Sequence, residues 1–191
     1  MSIPKRVECL AGVAQRILAV RESMPSTLPP GTTDEAIDAF EARHGLILPL
    51  ELREWLRFTN GPSVGAGRTR GIRTTNPAND IEALWLPGWR RRGWIPIASD
   101  GCGGHYVLAT RPEDGPGHPV FFLDHERQQD EDRSTPTYVC ASCLWSFLCF
   151  YLMEDGGVEG WPFNRYMVLA DDPALAHYSK VRRAWEVDEV D

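Results

Sequence analysis

The chain has 191 residues, of which 42% are hydrophobic, and its formal net charge is −7 at neutral pH. This length and apolar fraction predict one folded domain with a substantial core, and they exclude global disorder. The acidic balance argues against nucleic acid as the main partner, because phosphate contacts require a basic surface.

The cysteine count and the apolar runs bear on the compartment. Five cysteines without a secretory segment predict reduced thiols rather than a disulfide framework. No apolar run reaches the ~20 residues that a membrane helix requires. The apolar stretch after Lys5 and Arg6 is broken by Glu8 and Gln15, so it does not resemble a signal peptide. We therefore expect a cytoplasmic protein with no membrane span.

In chain order, residues 1–31 contain an amphipathic helix followed by a proline-rich linker. The run Thr32 to Glu35 has the spacing of a capping box and predicts a helix over most of Asp34–His44. Gly45 is a left-handed stop for that helix. A second helix, Leu50–Thr59, carries an apolar face of Leu52, Trp55 and Leu56.

The next stretch carries weaker signals. Residues from Pro62 to Asn79 are rich in glycine and arginine and predict an extended loop. The stretch lacks the lysine and hydroxyl ending of a phosphate loop. Residues Ile81 to Trp85 form either a strand or a turn of helix, which Pro87 ends. We expect Arg90, Arg91 and Arg92 to form a solvated basic turn before the next strand.

Three short β-rich runs at the centre of the chain are bounded by glycine, proline and aspartate, which is typical of adjacent antiparallel strands. They are Trp94–Ala98, Tyr106–Ala109 and Val120–Leu123. Tyr138 and Val139 indicate a further strand. We expect helices before and after this meander to pack on one of its faces.

The last part of the chain predicts an apolar helix over most of Cys143–Leu152, capped by Ser142. Residues 156–191 then form a C-terminal helical extension that packs on the same domain. Its final helix is expected from Pro173 to Trp185. The predicted fold class is α+β, with helices packed around a mainly antiparallel sheet, and the main domain covers residues 32–155.

A series of landmarks in this order resembles the SUKH superfamily, which contains yeast cell-wall-synthesis regulators and many bacterial immunity proteins. The N-terminal landmarks are Glu35, Ile37, Glu41, Gly45, Leu48, Pro49, Trp55, Leu56, Asn60 and Gly61. The later ones are the runs 95–98, 100–104, 120–125 and 138–142. The resemblance covers about Thr33 to Leu152. The arginine-rich stretch from Arg68 to Arg92 has no assignable counterpart in it, and the tail after Trp161 lies outside it.

The resemblance implies an α+β fold and a protein partner, and it does not imply an enzyme. Bacterial members of the superfamily are typically antidotes that bind secreted toxins, often nucleases. Our leading hypothesis is a non-catalytic immunity protein that binds and occludes a cognate toxin, without a cofactor. The alternative is a regulatory or scaffold module whose partner is not a toxin.

Two chemical alternatives use the cysteines. Cys140 and Cys143, with Cys102 and His105, have the spacing of zinc ligands. A cysteine that joins a strand to an apolar helix more often serves as a small hydrophobe, so we expect a fold without metal. Cys102 with His105 or His125 could form a nucleophile and base of a small hydrolase. We favour the simpler explanation that the glycines around Cys102 serve a tight turn, because nothing in the sequence supplies an oxyanion site, and the hydrolase ranks third among the hypotheses.

The expected contact surface is acidic. Between Glu113 and Asp132 there are seven acids and one arginine, Arg127, and a basic toxin cleft would be attracted to such a surface. The expected contact residues are Glu113, Asp114, Asp124, Glu126, Asp130, Glu131, Asp132 and Trp89. Trp89 is included because tryptophan is enriched at binding hot spots, and Trp85 and Trp94 lie near it in the chain.

Overall fold

A computed structural model of the protein describes residues 15, 28–64, 67–126, 135–154 and 160–187, without the side chains of residues 153 and 154. The predicted N-terminal helix therefore lies outside the described residues, apart from the helical Gln15.

The described residues form one five-stranded antiparallel sheet in which the strands follow one another in sequence order. Its strands are β1 (Arg68–Thr69), β2 (Trp94–Ser99), β3 (His105–Ala109), β4 (Val120–Leu123) and β5 (Tyr138–Ala141). The predicted meander and the α+β class are confirmed. The unpredicted strand is β1, which pairs with the end of β2 through Arg68 opposite Ser99.

Helices α1 (Asp34–His44) and α2 (Leu50–Phe58) occupy the predicted positions. The N-cap differs from the prediction: Thr33 Oγ1, not Thr32, accepts the amide of Ala36 at 3.3 Å. Thr32 instead donates its backbone N–H to the carbonyl of Leu56 at 2.8 Å. Gly45 ends α1 with φ 61°, as expected for a left-handed cap.

Two short helices precede β2: the first is the turn of helix that was one of the two alternatives for residues 81–85, and the second replaces the expected basic turn. They are α3 (Ile81–Leu84) and α4 (Pro87–Arg92). Pro87 begins α4 rather than ending a segment, since proline is tolerated in the first turn of a helix. The three arginines lie in the last turn of α4, where positive charge complements the helix dipole.

Helix α5 (Leu144–Glu154) follows β5 and packs against one face of the sheet. Tyr106 of β3 lies between Phe147 and Tyr151, at centroid distances of 4.9 and 5.7 Å. On the opposite face, Phe121 meets Trp94 and Tyr178 edge-on. Both faces of the sheet are therefore covered, which contradicts the expected one-sided packing and explains why its strands are continuous apolar runs.

The residues after position 160 fold onto the domain. Helix α6 (Arg165–Asp171) is followed by two single 3-10 turns, Pro173–His177 and Ala184–Glu186. The continuous helix expected from Pro173 to Trp185 is therefore wrong. The carbonyl of Arg182 accepts the N–H of Val139 at 2.8 Å, so the tail covers the outer edge of β5.

Within the described part of the chain, none of the helices has the length and apolar character needed to cross a membrane.

Candidate partner-binding surface

The expected acidic surface is divided between the two ends of strand β4. Glu113 and Asp114 lie in the β3–β4 connection, in the 3-10 turn Pro112–Asp114. Asp124 and Glu126 follow the other end of β4. The four buried residues of β4 separate the two groups by about 10 Å at the usual rise per residue. The four described acids therefore do not form one continuous loop.

Asp114 supports the fold at the first end. Its carboxylate accepts the Trp94 indole N–H at 3.0 Å, and its carbonyl accepts the Tyr178 hydroxyl. Partial burial raises the pKa of the Asp114 carboxyl above its usual value, although the bond from Trp94 opposes that shift. Glu113 next to it is exposed. Of these two acids, Glu113 is the one whose carboxylate faces solvent.

The second end presents Glu126 on the surface and Asp124 beneath it. The backbone N–H of Asp124 donates to Thr137 Oγ1 at 3.0 Å, which joins this turn to the start of β5. Asp124 Oδ1 accepts the backbone N–H of Glu126 at 2.9 Å. The carboxylate of Asp124 therefore shapes the turn that presents Glu126. Asp130, Glu131 and Asp132 lie outside the described residues.

Trp89 does not belong to an exposed surface. It is 1% exposed, and Trp85 and Trp94 are 5% and 1% exposed. The rings of Trp89 and His105 meet edge-on, with their centroids 5.4 Å apart. The aromatic contact patch expected from the sequence is therefore wrong, because α4 turns Trp89 inward while its arginines face outward.

The two halves of the alternative zinc site lie at opposite ends of the sheet. His105 is opposite Leu123, at the end of β4, whereas Cys140 donates its thiol to the carbonyl of Val120, at the start. One ion cannot contact both. Burial raises the pKa of both Cys140 and Cys143 above the ordinary thiol value, which opposes the thiolate form that zinc requires.

Unlike the two halves of the zinc site, Cys102 and His125 of the alternative hydrolase lie close together, at the turn between β2 and β3. Cys102 is exposed, and the ring of His125 covers Gly103 so closely that a Cβ there would meet Nδ1 at 2.9 Å. The backbone N–H groups of Cys102 and Gly104 both donate to Asp100 Oδ1 at 2.8 Å. Those two amides are thus occupied and do not form an oxyanion site.

Several structural side chains had no local signal in the sequence. Asn60 is one: its amide group bonds both the N–H and the carbonyl of Ile72 at 2.8 Å, as a neighbouring strand would. Glu51 of α2 is another, and its carboxylate accepts the first free N–H of α5, that of Leu144, at 3.2 Å. Both side chains bond residues that are distant in the chain, so the sequence does not reveal these contacts. The sequence indicated only that Asn60 and Gly61 form a turn.

The chain was compared with known proteins. A family model described as the SMI1 / KNR4 family (SUKH-1) matches residues 31–149. The match includes the arginine-rich stretch from Arg68 to Arg92 and ends before the tail. No curated protein matches the chain. Because the matched residues make up more than half of the sequence and coincide with helices α1 and α2, the sheet and the start of α5, the chain belongs to the SMI1/KNR4 (SUKH-1) family.

Proposed function

We propose that this protein is a non-catalytic immunity protein that binds and neutralises a cognate polymorphic toxin in the cytoplasm. The observation that carries the proposal is membership of the SUKH-1 family, whose superfamily includes many bacterial immunity proteins. The mechanism is occlusion: the protein covers the active site of the toxin and has no reaction of its own.

The charge of the chain supports a basic partner. The net charge is −7, and the β4–β5 side of the molecule presents the exposed Glu126. Asp130, Glu131 and Asp132 follow it in the chain after Arg127, Gln128 and Gln129. We assign the main electrostatic contact to this side, because Asp114 on the other side is committed to Trp94 and Tyr178. A charged surface of this kind accelerates association with an oppositely charged cleft.

The first experiment identifies the toxin. Candidate toxin domains encoded next to this gene are expressed with and without the protein, and growth is measured. Restored growth together with a stable complex of the two purified proteins is the expected result. If no neighbouring toxin is neutralised and the protein instead binds a non-toxic neighbour, the proposal fails in favour of a regulatory or scaffold module.

The second experiment locates the contact. The triple variant D130N/E131Q/D132N removes three charges, and D188N/E189Q/D191N removes three from the end of the chain as a matched control. We expect the first variant to associate roughly tenfold more slowly at low salt, with a smaller change in dissociation rate. The effect should shrink at physiological salt, where charges are screened beyond about 8 Å. Slower association of the control alone would move the contact to the tail.

A further inference from the structure

A cavity of about 470 Å³ opens between β1, α3 and the turn that joins β2 to β3. The volume falls within the range of small-molecule sites. The cavity borders the turn after β4, since the ring of His125 lies against Gly103 of its lining. Its polar and backbone lining includes Arg68, Arg70, Ser99, Gly101, Gly103 and His105.

Arg70 is the unusual member of this lining. It is only 4% exposed, and its guanidinium donates to the carbonyl of Ala78. Its Nε is buried without a hydrogen-bond partner among the described residues. Buried cations are normally paired with a carboxylate, and within the described part of the chain Arg70 forms no such ion pair.

The charge of Arg70 persists despite its burial. Loss of solvation lowers the pKa of Arg70 to about 10, and the neighbouring charge of Arg68 acts in the same direction. A guanidinium with that pKa remains protonated at neutral pH. The cavity therefore holds one buried cation with an exposed cation, Arg68, at its rim, and an anion bound next to both would reduce the repulsion between them.

The framework around these arginines is held in place. The backbone N–H of Arg70 donates to the carbonyl of Ile97 at 2.8 Å. Tyr151 of α5 joins two lining residues, since its hydroxyl donates to the carbonyl of Ser99 at 2.8 Å and accepts the N–H of Gly67 at 2.9 Å. A site held this firmly binds a ligand with little loss of conformational freedom.

Among the described residues, the lining of the cavity contains no carboxylate. Gly67 packs directly against the end of β2, since a Cβ on it would come within 2.1 Å of the Ser99 carbonyl oxygen. Asp100 is the carboxylate of the turn. Its Oδ1 is occupied by the N–H groups of Cys102 and Gly104, and its side chain does not line the cavity.

We propose that this cavity binds an oxyanion group, a phosphate or a carboxylate, of a small-molecule ligand. Arg70 is the buried anchor, and Arg68 closes over the ligand from the rim. Guanidinium groups suit both oxyanions, because their N–H groups form short, charge-assisted and often paired hydrogen bonds. The alternative that Arg70 only ties the loop to Ala78 leaves its buried charge without a carboxylate partner among the described residues.

The experiment uses the full chain and two probes, inorganic phosphate and acetate, at constant ionic strength with chloride as the balancing anion. Binding is followed by NMR chemical shifts or calorimetry. The matched variants are R68Q and R73Q: both arginines are exposed in the same region, but only Arg68 lines the cavity. We expect saturable binding, weakened about tenfold by R68Q, the usual scale of one charged hydrogen bond, and unchanged by R73Q.

The relative strength of the probes identifies the ligand: tighter phosphate binding assigns a phosphorylated small molecule, and tighter acetate binding assigns a carboxylic acid. Binding of both probes weaker than about 10 mM, or equal weakening by R68Q and R73Q, overturns the proposal. R70Q provides the direct test if circular dichroism shows it folded, and retained binding by that variant also overturns it. If R70Q does not fold, the comparison of R68Q with R73Q decides.

Discussion

At the scale of single residues, Asp172 shows how a tail residue holds the centre of the fold. It is 3% exposed, and its carboxylate accepts both the backbone N–H and the hydroxyl of Ser142, at 2.7 and 2.6 Å. Ser142 lies between β5 and α5 and was predicted to cap that helix. Its hydroxyl instead donates to the carboxylate of Asp172, so it joins the tail to the sheet.

We predict that D172A lowers the free energy of unfolding by about 2 kcal/mol, because two half-buried donors of Ser142 lose their acceptor. D172N should cost less, since an amide oxygen still accepts one of these bonds. Urea unfolding at neutral pH measures both variants. Equal stability of D172A and the wild type would contradict the buried contact.

The same residue predicts a pH dependence. Burial raises the pKa of Asp172 above its usual 3.8, with the Ser142 bonds opposing the shift. The folded protein therefore retains this proton at pH values where the unfolded chain has lost it. The stability contributed by Asp172 should fall as the pH rises from 3.8 through the raised pKa. Unfolding of the wild type and D172N across this range tests the sign: the wild type should lose stability relative to D172N, and a relative gain would contradict it.

At the scale of the elements, the two adjacent threonines at the start of α1 have different roles. Only the side chain of Thr33 caps the helix, while Thr32 contributes a backbone bond to Leu56. We predict that T33A lowers the free energy of unfolding by about 1 kcal/mol. T32A is the matched control and should change it by less than about 0.5 kcal/mol. A larger effect of T32A in thermal or urea unfolding would restore the capping box expected from the sequence.

Helices α2 and α5 contribute large aromatic side chains to the core. Trp55 is 2% exposed and Phe147 is fully buried. We predict that W55A and F147A each lower the free energy of unfolding by ~3–5 kcal/mol, a large part of the stability of an ordinary domain. Phe58, 42% exposed on the same helix as Trp55, provides the control F58A, which should cost clearly less. Equal melting of W55A and F58A would show that the side of α2 facing the core has been assigned wrongly.

At the scale of the whole molecule, the tail is part of the packed structure although the family match ends at residue 149. Trp161 stacks on Phe150 at 6.0 Å, and the buried Val168, Leu175 and Ala184 add to the same core. The carbonyl of Arg182 occupies the edge of β5. The chain therefore adds its own cover to a strand edge that the matched region alone leaves unpaired.

We predict that a chain ending at residue 155 loses cooperative unfolding or aggregates, because truncation exposes apolar surface and an open strand edge. A chain ending at Val187 is the control, since it keeps every tail contact described above. Size-exclusion chromatography and thermal melting distinguish the two. A shortened chain that remains monomeric and melts like the full one would show that the tail contributes nothing to the fold.

The sequence alone determined the position and type of the main elements, because those signals are local. The left-handed stop at Gly45, the apolar spacing around Trp55 and the β-rich run at Trp94–Ala98 each depend on residues a few positions apart. The same local landmarks, in order, were sufficient for the family. The helix predicted from Pro173 to Trp185 failed because tertiary packing of the tail overrode local helix preference.

Only the tertiary structure decided which of the candidate residues are exposed and which are buried. The four described acids, Glu113, Asp114, Asp124 and Glu126, separate because buried β4 runs between them. Trp89 turns inward because α4 packs on β2. The sequence predicts that Arg70 lies in an extended loop, whereas in the structure it follows β1 and is enclosed beside the β2–β3 turn. Exposure and charge pairing depend on contacts between residues distant in the chain, and no local pattern records those contacts.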